Sequence, residues 1–176
     1  MRRIVLLTVA ALSAFLAVAA WGSDLDGLVR ERTARVFVEG QALGDMVLNA
    51  RARVDFVYVD RNLSEALAKD PARSPEQLRI EAQYFGGDRS RGKALFVLLL
   101  STSKPWTVTP ELFRIGDYVL RSSDILTPPE MTPLGELPSD FSAALAVAVP
   151  RDVVKPGSTI EIAVSGDRVS FAVPRR

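Results

Sequence analysis

The sequence contains no cysteine and no histidine. Without cysteine there is no disulfide, no thiolate metal site and no cysteine nucleophile, and no cysteine follows the amino-terminal segment to carry a lipid anchor. Without histidine the usual general base near neutral pH is missing. That removes the Ser-His-Asp and Cys-His arrangements and every zinc site that needs an imidazole. Carboxylate, lysine and tyrosine chemistry stay open. An excess of one charge sign is lacking as well: 22 basic residues stand against 21 acidic ones, a net charge of +1. A balanced chain has no global field with which to concentrate nucleic acid or an anionic membrane.

What is present is ordinary globular material. The 176 residues are 48% hydrophobic and 24% charged, which argues against wholesale disorder. At this length one domain burying roughly two thirds of its unfolded surface is expected.

Met1 to Ala20 places Arg2 and Arg3 ahead of an apolar run that ends in Ala17-Val18-Ala19-Ala20. This is the order of a secretory signal: positive end, apolar stretch, small residues before the cut. An uncleaved membrane anchor is the alternative, since the run approaches the ~18 residues of a spanning helix. Cleavage removes two arginines and no acids, so 22 bases become 20 against 21 acids and the net charge becomes −1. An exported chain without cysteine fits a bacterial periplasm or exterior.

The remaining chain divides into a polar stretch over 21–35, in which Ser23 to Arg35 reads as a spacer or a fraying short helix, and one β domain over 36–176. Val36 to Glu39 and Met46 to Tyr58 read as strands, the second alternating Ala50, Ala52, Val54, Phe56 and Tyr58 with Arg51, Arg53, Asp55 and Val57. Asn62 to Asp70 reads as the one short helix, capped by Asn62 or Ser64 and closed by Pro71. Ser74 to Phe85 opens like a helix but then alternates Leu78, Ile80, Ala82 and Tyr84, and we assign it as strand. Lys93 to Ser101 is apolar on both faces, as a covered central strand requires. Trp106 to Thr109 and Leu112 to Leu120, around a Gly116-Asp117 turn, are shorter strand pieces. Thr127 to Asp140 carries four prolines and reads as a surface loop. In Phe141 to Val149 the second face is Ser142, Ala144, Ala146 and Ala148, small enough for another layer to approach.

Ser158 to Val173 reads as a closing hairpin. With Gly166 and Asp167 central in the turn, Val164 opposes Val169 and Ile162 opposes Phe171. Opposed side chains share a face, so Ile160, Ile162, Val164, Val169, Phe171 and Val173 form an apolar side. The fold expected is a mainly β, antiparallel, immunoglobulin-like β-sandwich with one short helix. Its Pro-Gly turn, strand, Gly-Asp turn and final strand resemble the end of immunoglobulin-like bacterial domains.

Several motifs suggest chemistry and fall short of it. Gly87 to Lys93 has phosphate-loop spacing, yet Ala94 stands where Ser or Thr should hold magnesium, and a β-like run follows instead of a helix. Ser101-Thr102-Ser103-Lys104 matches the S-x-x-K pattern, and a Ser101–Lys104 hydrolase is the enzymatic alternative. Pro105 disfavours the helix that would bring the two together. Asp55 and Asp60 lack calcium-loop spacing. No metal and no cofactor is expected. Trp106, Arg51 and Arg53 are the candidate binding residues, an aromatic anchor and two cations for an acidic partner. The functional expectation is a non-enzymatic envelope domain that binds or scaffolds another protein, with a membrane-anchored assembly subunit as the alternative should 1–20 be retained. Nucleic acid is not expected as a partner.

Overall fold

A computed structural model describes residues 25–44 and 46–175; the expected signal over 1–20 lies outside them. Among the described residues the chain is mainly β, with antiparallel sheets and three α-helices. The first sheet contains β1 (Thr33–Val38), β4 (Ala52–Val59), β5 (Lys93–Thr102) and β10 (Ser142–Pro150) in the order β1-β4-β5-β10. The second contains β12 (Asp167–Ala172), β11 (Thr159–Val164), β7 (Phe113–Ile115) and β8 (Tyr118–Val119) in the order β12-β11-β7-β8. Two ribbons complete the strands: β2 (Gln41–Leu43) with β3 (Met46–Leu48), and β6 (Trp106–Val108) with β9 (Gly135–Leu137).

The two sheets share one apolar core, to which Phe56, Phe96 and Leu145 contribute from the first and Phe113, Ile162 and Phe171 from the second. Phe56 meets Phe113 edge-on at 6.1 Å between ring centres, and Phe96 meets Phe171 at 6.3 Å. Such geometry suits the ring quadrupoles. A second core lies on the other face of the first sheet, under the helices, and takes in Val57, Leu95, Val97, Ala146 and Ala148. β5 therefore lies between β4 and β10 and is covered on both faces, as its unbroken apolar run requires. The small second face of β10 is met by a helix.

That outer layer contradicts the single-helix expectation. The helices are α1 (Leu25–Glu31), α2 (Arg61–Lys69) and α3 (Glu76–Ala82). α3 occupies the segment assigned as strand. Leu78 and Ala82, one helical turn apart, are buried against the sheet, while Ile80 and Tyr84 are only half-buried. Leu78 and Ala82 are compatible with either period, being four residues apart, and Ser74 bonds backward to the Leu67 and Asp70 carbonyls instead of capping the helix. α2 is where it was expected, but its cap is Asp60, whose Oδ1 accepts from the Leu63 N–H at 2.9 Å, rather than Asn62 or Ser64.

Residues 25–35, expected as a spacer or a fraying helix, hold α1 and the start of β1. Leu25 is buried in the outer core, and the buried Arg32 donates twice to Asp60, at 3.1 and 3.0 Å. Met46 to Tyr58 is two strands, broken at Asn49. The Pro-rich segment is a loop that contributes β9 to a pair with β6 and is anchored by Thr127.

The closing hairpin forms with the expected faces but a register shifted by two. Val164 opposes Asp167, Ile162 opposes Val169 and Ile160 opposes Phe171. Ser165 (φ 52°) and Gly166 (φ 101°) are the central pair, both left-handed as a mirror-type turn demands. A two-residue slip keeps every side chain on its face, so the alternation of polar and apolar residues cannot detect it.

Candidate functional site

The feature that stands away from both cores is the ribbon between β1 and β4. The ladder of β1 and β4 runs to Val38 opposite Ala52. Each chain then passes through one left-handed residue, Glu39 (φ 55°) and Asn49 (φ 56°), before pairing again as Gln41 with Leu48, Ala42 with Val47 and Leu43 with Met46. An interruption at matching levels of both strands re-aims the pair that follows. Opposed residues share a face, so Leu43, Met46 and Leu48 lie together. They are 59%, 60% and 42% exposed. On the other face the Gly40 backbone approaches Val47 so closely that a Cβ there would overlap the valine methyl and crowd Phe37.

The foot of the ribbon is held firmly. The Glu39 N–H donates to Asp167 Oδ2 at 2.9 Å, tying it to the second sheet. Arg51 bridges Glu39 Oε2 at 2.8 Å and the Pro105 carbonyl at 2.6 Å, and the Lys104 ammonium donates to the Asn49 carbonyl at 3.0 Å. The base is clamped and the apolar tip is left in solvent.

The expected site residues are distributed differently. Arg51 is one of the clamps. Arg53 is exposed on the outer face of the first sheet, in the cross-strand row of Phe37, Ser101 and Ser142 that the helices leave uncovered. Its guanidinium lies 3.8 Å from Asp55. Trp106 is buried in the inter-sheet core, edge-on to Phe113 at 6.2 Å, and so offers little surface to a partner. Ser101 and Lys104 sit at and beyond the end of β5, with the lysine committed to its carbonyl. Asp55 and Asp60 are not brought together as ligands. Arg35 grips Asp55 at 2.7 and 2.9 Å, bonds that raise the guanidinium pKa, and Arg32 holds Asp60. Among the described residues no cluster of three or more potential metal ligands occurs. Gly87 to Lys93 forms a 3-10 turn over Asp88–Ser90 leading into β5.

Two hollows remain. One of about 520 Å³ lies beside the β7–β8 turn, with Asp117, Asp152 and Glu161 in its wall; Glu161 is already shared by Arg114 and Arg168. In the same wall the Tyr118 phenol is pushed up in pKa by burial and by donating to the Asp124 carboxylate. The other, about 420 Å³, lies where β4 and β10 end and β5 begins, and holds Arg61, Lys93 and Arg151.

Neither ribbon nor basic hollow was expected as a site. Leu43 and Met46 lie next to each other in the β2–β3 ladder, and their exposure depends on the absence of anything packed against them. The three cations are far apart in sequence. No family model matches the chain, and no curated protein or solved structure matches it either.

Proposed function

We propose that this is a non-enzymatic domain of the cell envelope that binds another envelope protein, with the β2–β3 ribbon as its contact element. The observation that carries this is the apolar trio Leu43, Met46 and Leu48, held out on a clamped base. Large apolar side chains left in water on a well-anchored projection mark a surface that is covered in use. The partner's complementary feature is an apolar groove that accepts a two-stranded ribbon edge or face. Addition of a strand elsewhere is less favoured, because Ile125 bridges to Val147 and Leu126 bonds to Ala146 along the outer edge of β10. Export through Met1 to Ala20, and an immunoglobulin-like kinship of the two packed sheets, belong to the same proposal. The latter rests on the closing hairpin and the shared inter-sheet core; the helical outer layer is an addition to it.

The test is photo-cross-linking in intact cells from a probe placed at position 46, compared with one at Met131, an apolar residue just as exposed at 62%. A discrete adduct with one envelope protein from position 46 alone is the expected result. Identical adducts from both positions, or none from position 46, would sink the proposal.

A further inference from the structure

Most arginines in the two sheets are engaged. Arg35, Arg53, Arg114 and Arg168 face carboxylates. Arg61, Lys93 and Arg151 are different: among the described residues none of their side chains has an ion-pair or hydrogen-bond partner. All three line the same hollow.

The topology explains the convergence. Val59 of β4 opposes Leu95 of β5, and Lys93 of β5 opposes Pro150 of β10. Arg61 lies two residues beyond Val59, and Arg151 one beyond Pro150. Three neighbouring strands thus stop at one rim, and each delivers a cation there. The only carboxylate in the lining is Asp60, and its oxygens are taken by Arg32 and the Leu63 N–H. The latter bond also caps α2, so the hollow's positive character comes from the side chains. Like charges gathered without a counter-charge repel, and an incoming anion relieves that repulsion. Buried Val59 and Leu95 and half-open Phe85, at 37% exposure, give the wall an apolar part.

We propose that this hollow binds a phosphate monoester, the phosphoryl group held among Arg61, Lys93 and Arg151 and the ester's apolar body against Phe85. A dianionic phosphoryl presents three acceptor oxygens, which match in number three cations supplied by three neighbouring chain segments. The volume falls within the range of small-molecule sites. The site stands apart from the β2–β3 ribbon, since the two lie at opposite ends of β4, and either can fail without the other.

The experiment is calorimetric titration of the full chain with phenyl phosphate and with inorganic phosphate, at low and at raised salt. One-site binding that weakens with salt is expected, with phenyl phosphate the tighter. Lys93→Ala and Arg151→Ala should each weaken both ligands by about tenfold. Phe85→Ala should remove the advantage of phenyl phosphate while retaining inorganic phosphate, a split that loss of folding cannot mimic. Lys155→Ala, which removes an exposed cation elsewhere, should change nothing. A parallel sedimentation with phosphatidylcholine vesicles, with and without phosphatidic acid, separates the two sources of the same group. Capture by phosphatidic acid that Arg151→Ala abolishes assigns a lipid headgroup; its absence assigns a soluble ester. No binding of either phosphate by the intact chain, or equal weakening by Lys155→Ala, overturns the proposal.

Discussion

Glu81 shows how a single side chain acquires its properties from its surroundings. It lies on α3, buried against the sheet, where its Oε2 accepts from the Thr127 hydroxyl at 2.6 Å, while that same hydroxyl accepts from the Ala146 N–H at 2.8 Å. Burial raises the carboxyl pKa, and the hydrogen bonds from Thr127 and Ala146 only partly oppose it. The folded state therefore holds the proton more tightly than the unfolded chain. Stability falls as pH rises from the ordinary glutamate value, about 4.3, through the raised folded value. Glu81→Gln keeps an acceptor for Thr127 and removes the charge. Denaturant midpoints measured across that window should diverge, with the glutamine variant the more stable on the alkaline side. Parallel curves would show that Glu81 ionises there without penalty.

At the scale of the element, the closing hairpin shows which parts of a strand pair alternation can specify. Its apolar face is the expected one, with Ile162, Val164, Phe171 and Val173 all buried. Its turn is Ser165-Gly166, and Ser165 occupies a left-handed conformation that a serine adopts at a cost. Asparagine tolerates that region better, so Ser165→Asn should stabilise the protein by roughly 0.5–1 kcal/mol without changing its spectra. A destabilised variant in thermal unfolding would place the turn back at Gly166-Asp167. The same limit applies to α3. Leu78, Ile80, Ala82 and Tyr84 satisfy a strand's period, and the helix forms because Leu78 and Ala82 find the outer face of β5 and β10 to cover.

In the whole molecule the first sheet separates two cores, and β4, β5 and β10 contribute side chains to both. Phe96 points into one and its neighbours Leu95 and Val97 into the other. Loss of either core undermines the same strands. Leu78→Ala in the outer core and Phe96→Ala in the inner one should each cost about 2–5 kcal/mol. Both should shift one cooperative transition, followed identically by far-UV and near-UV circular dichroism. If Leu78→Ala melts a helical phase while the sheet signal persists, the outer layer is a separate unit.

The order of residues by itself determined that the chain lacks cysteine and histidine chemistry, that β5 is a covered strand, and that the last hairpin turns an apolar face inward. Those properties depend on side-chain identity and on periods of two along a strand, which are local quantities. Tertiary structure alone decided that 76–82 is helical, that Trp106 belongs to the core, and that Arg61, Lys93 and Arg151 share one hollow. It also decided that Leu43, Met46 and Leu48 stay in solvent. Each of these depends on what residues distant along the chain bring close or leave uncovered. Convergence in space is set by how strands are ordered in a sheet, and a pattern read along one strand carries no information about its neighbours.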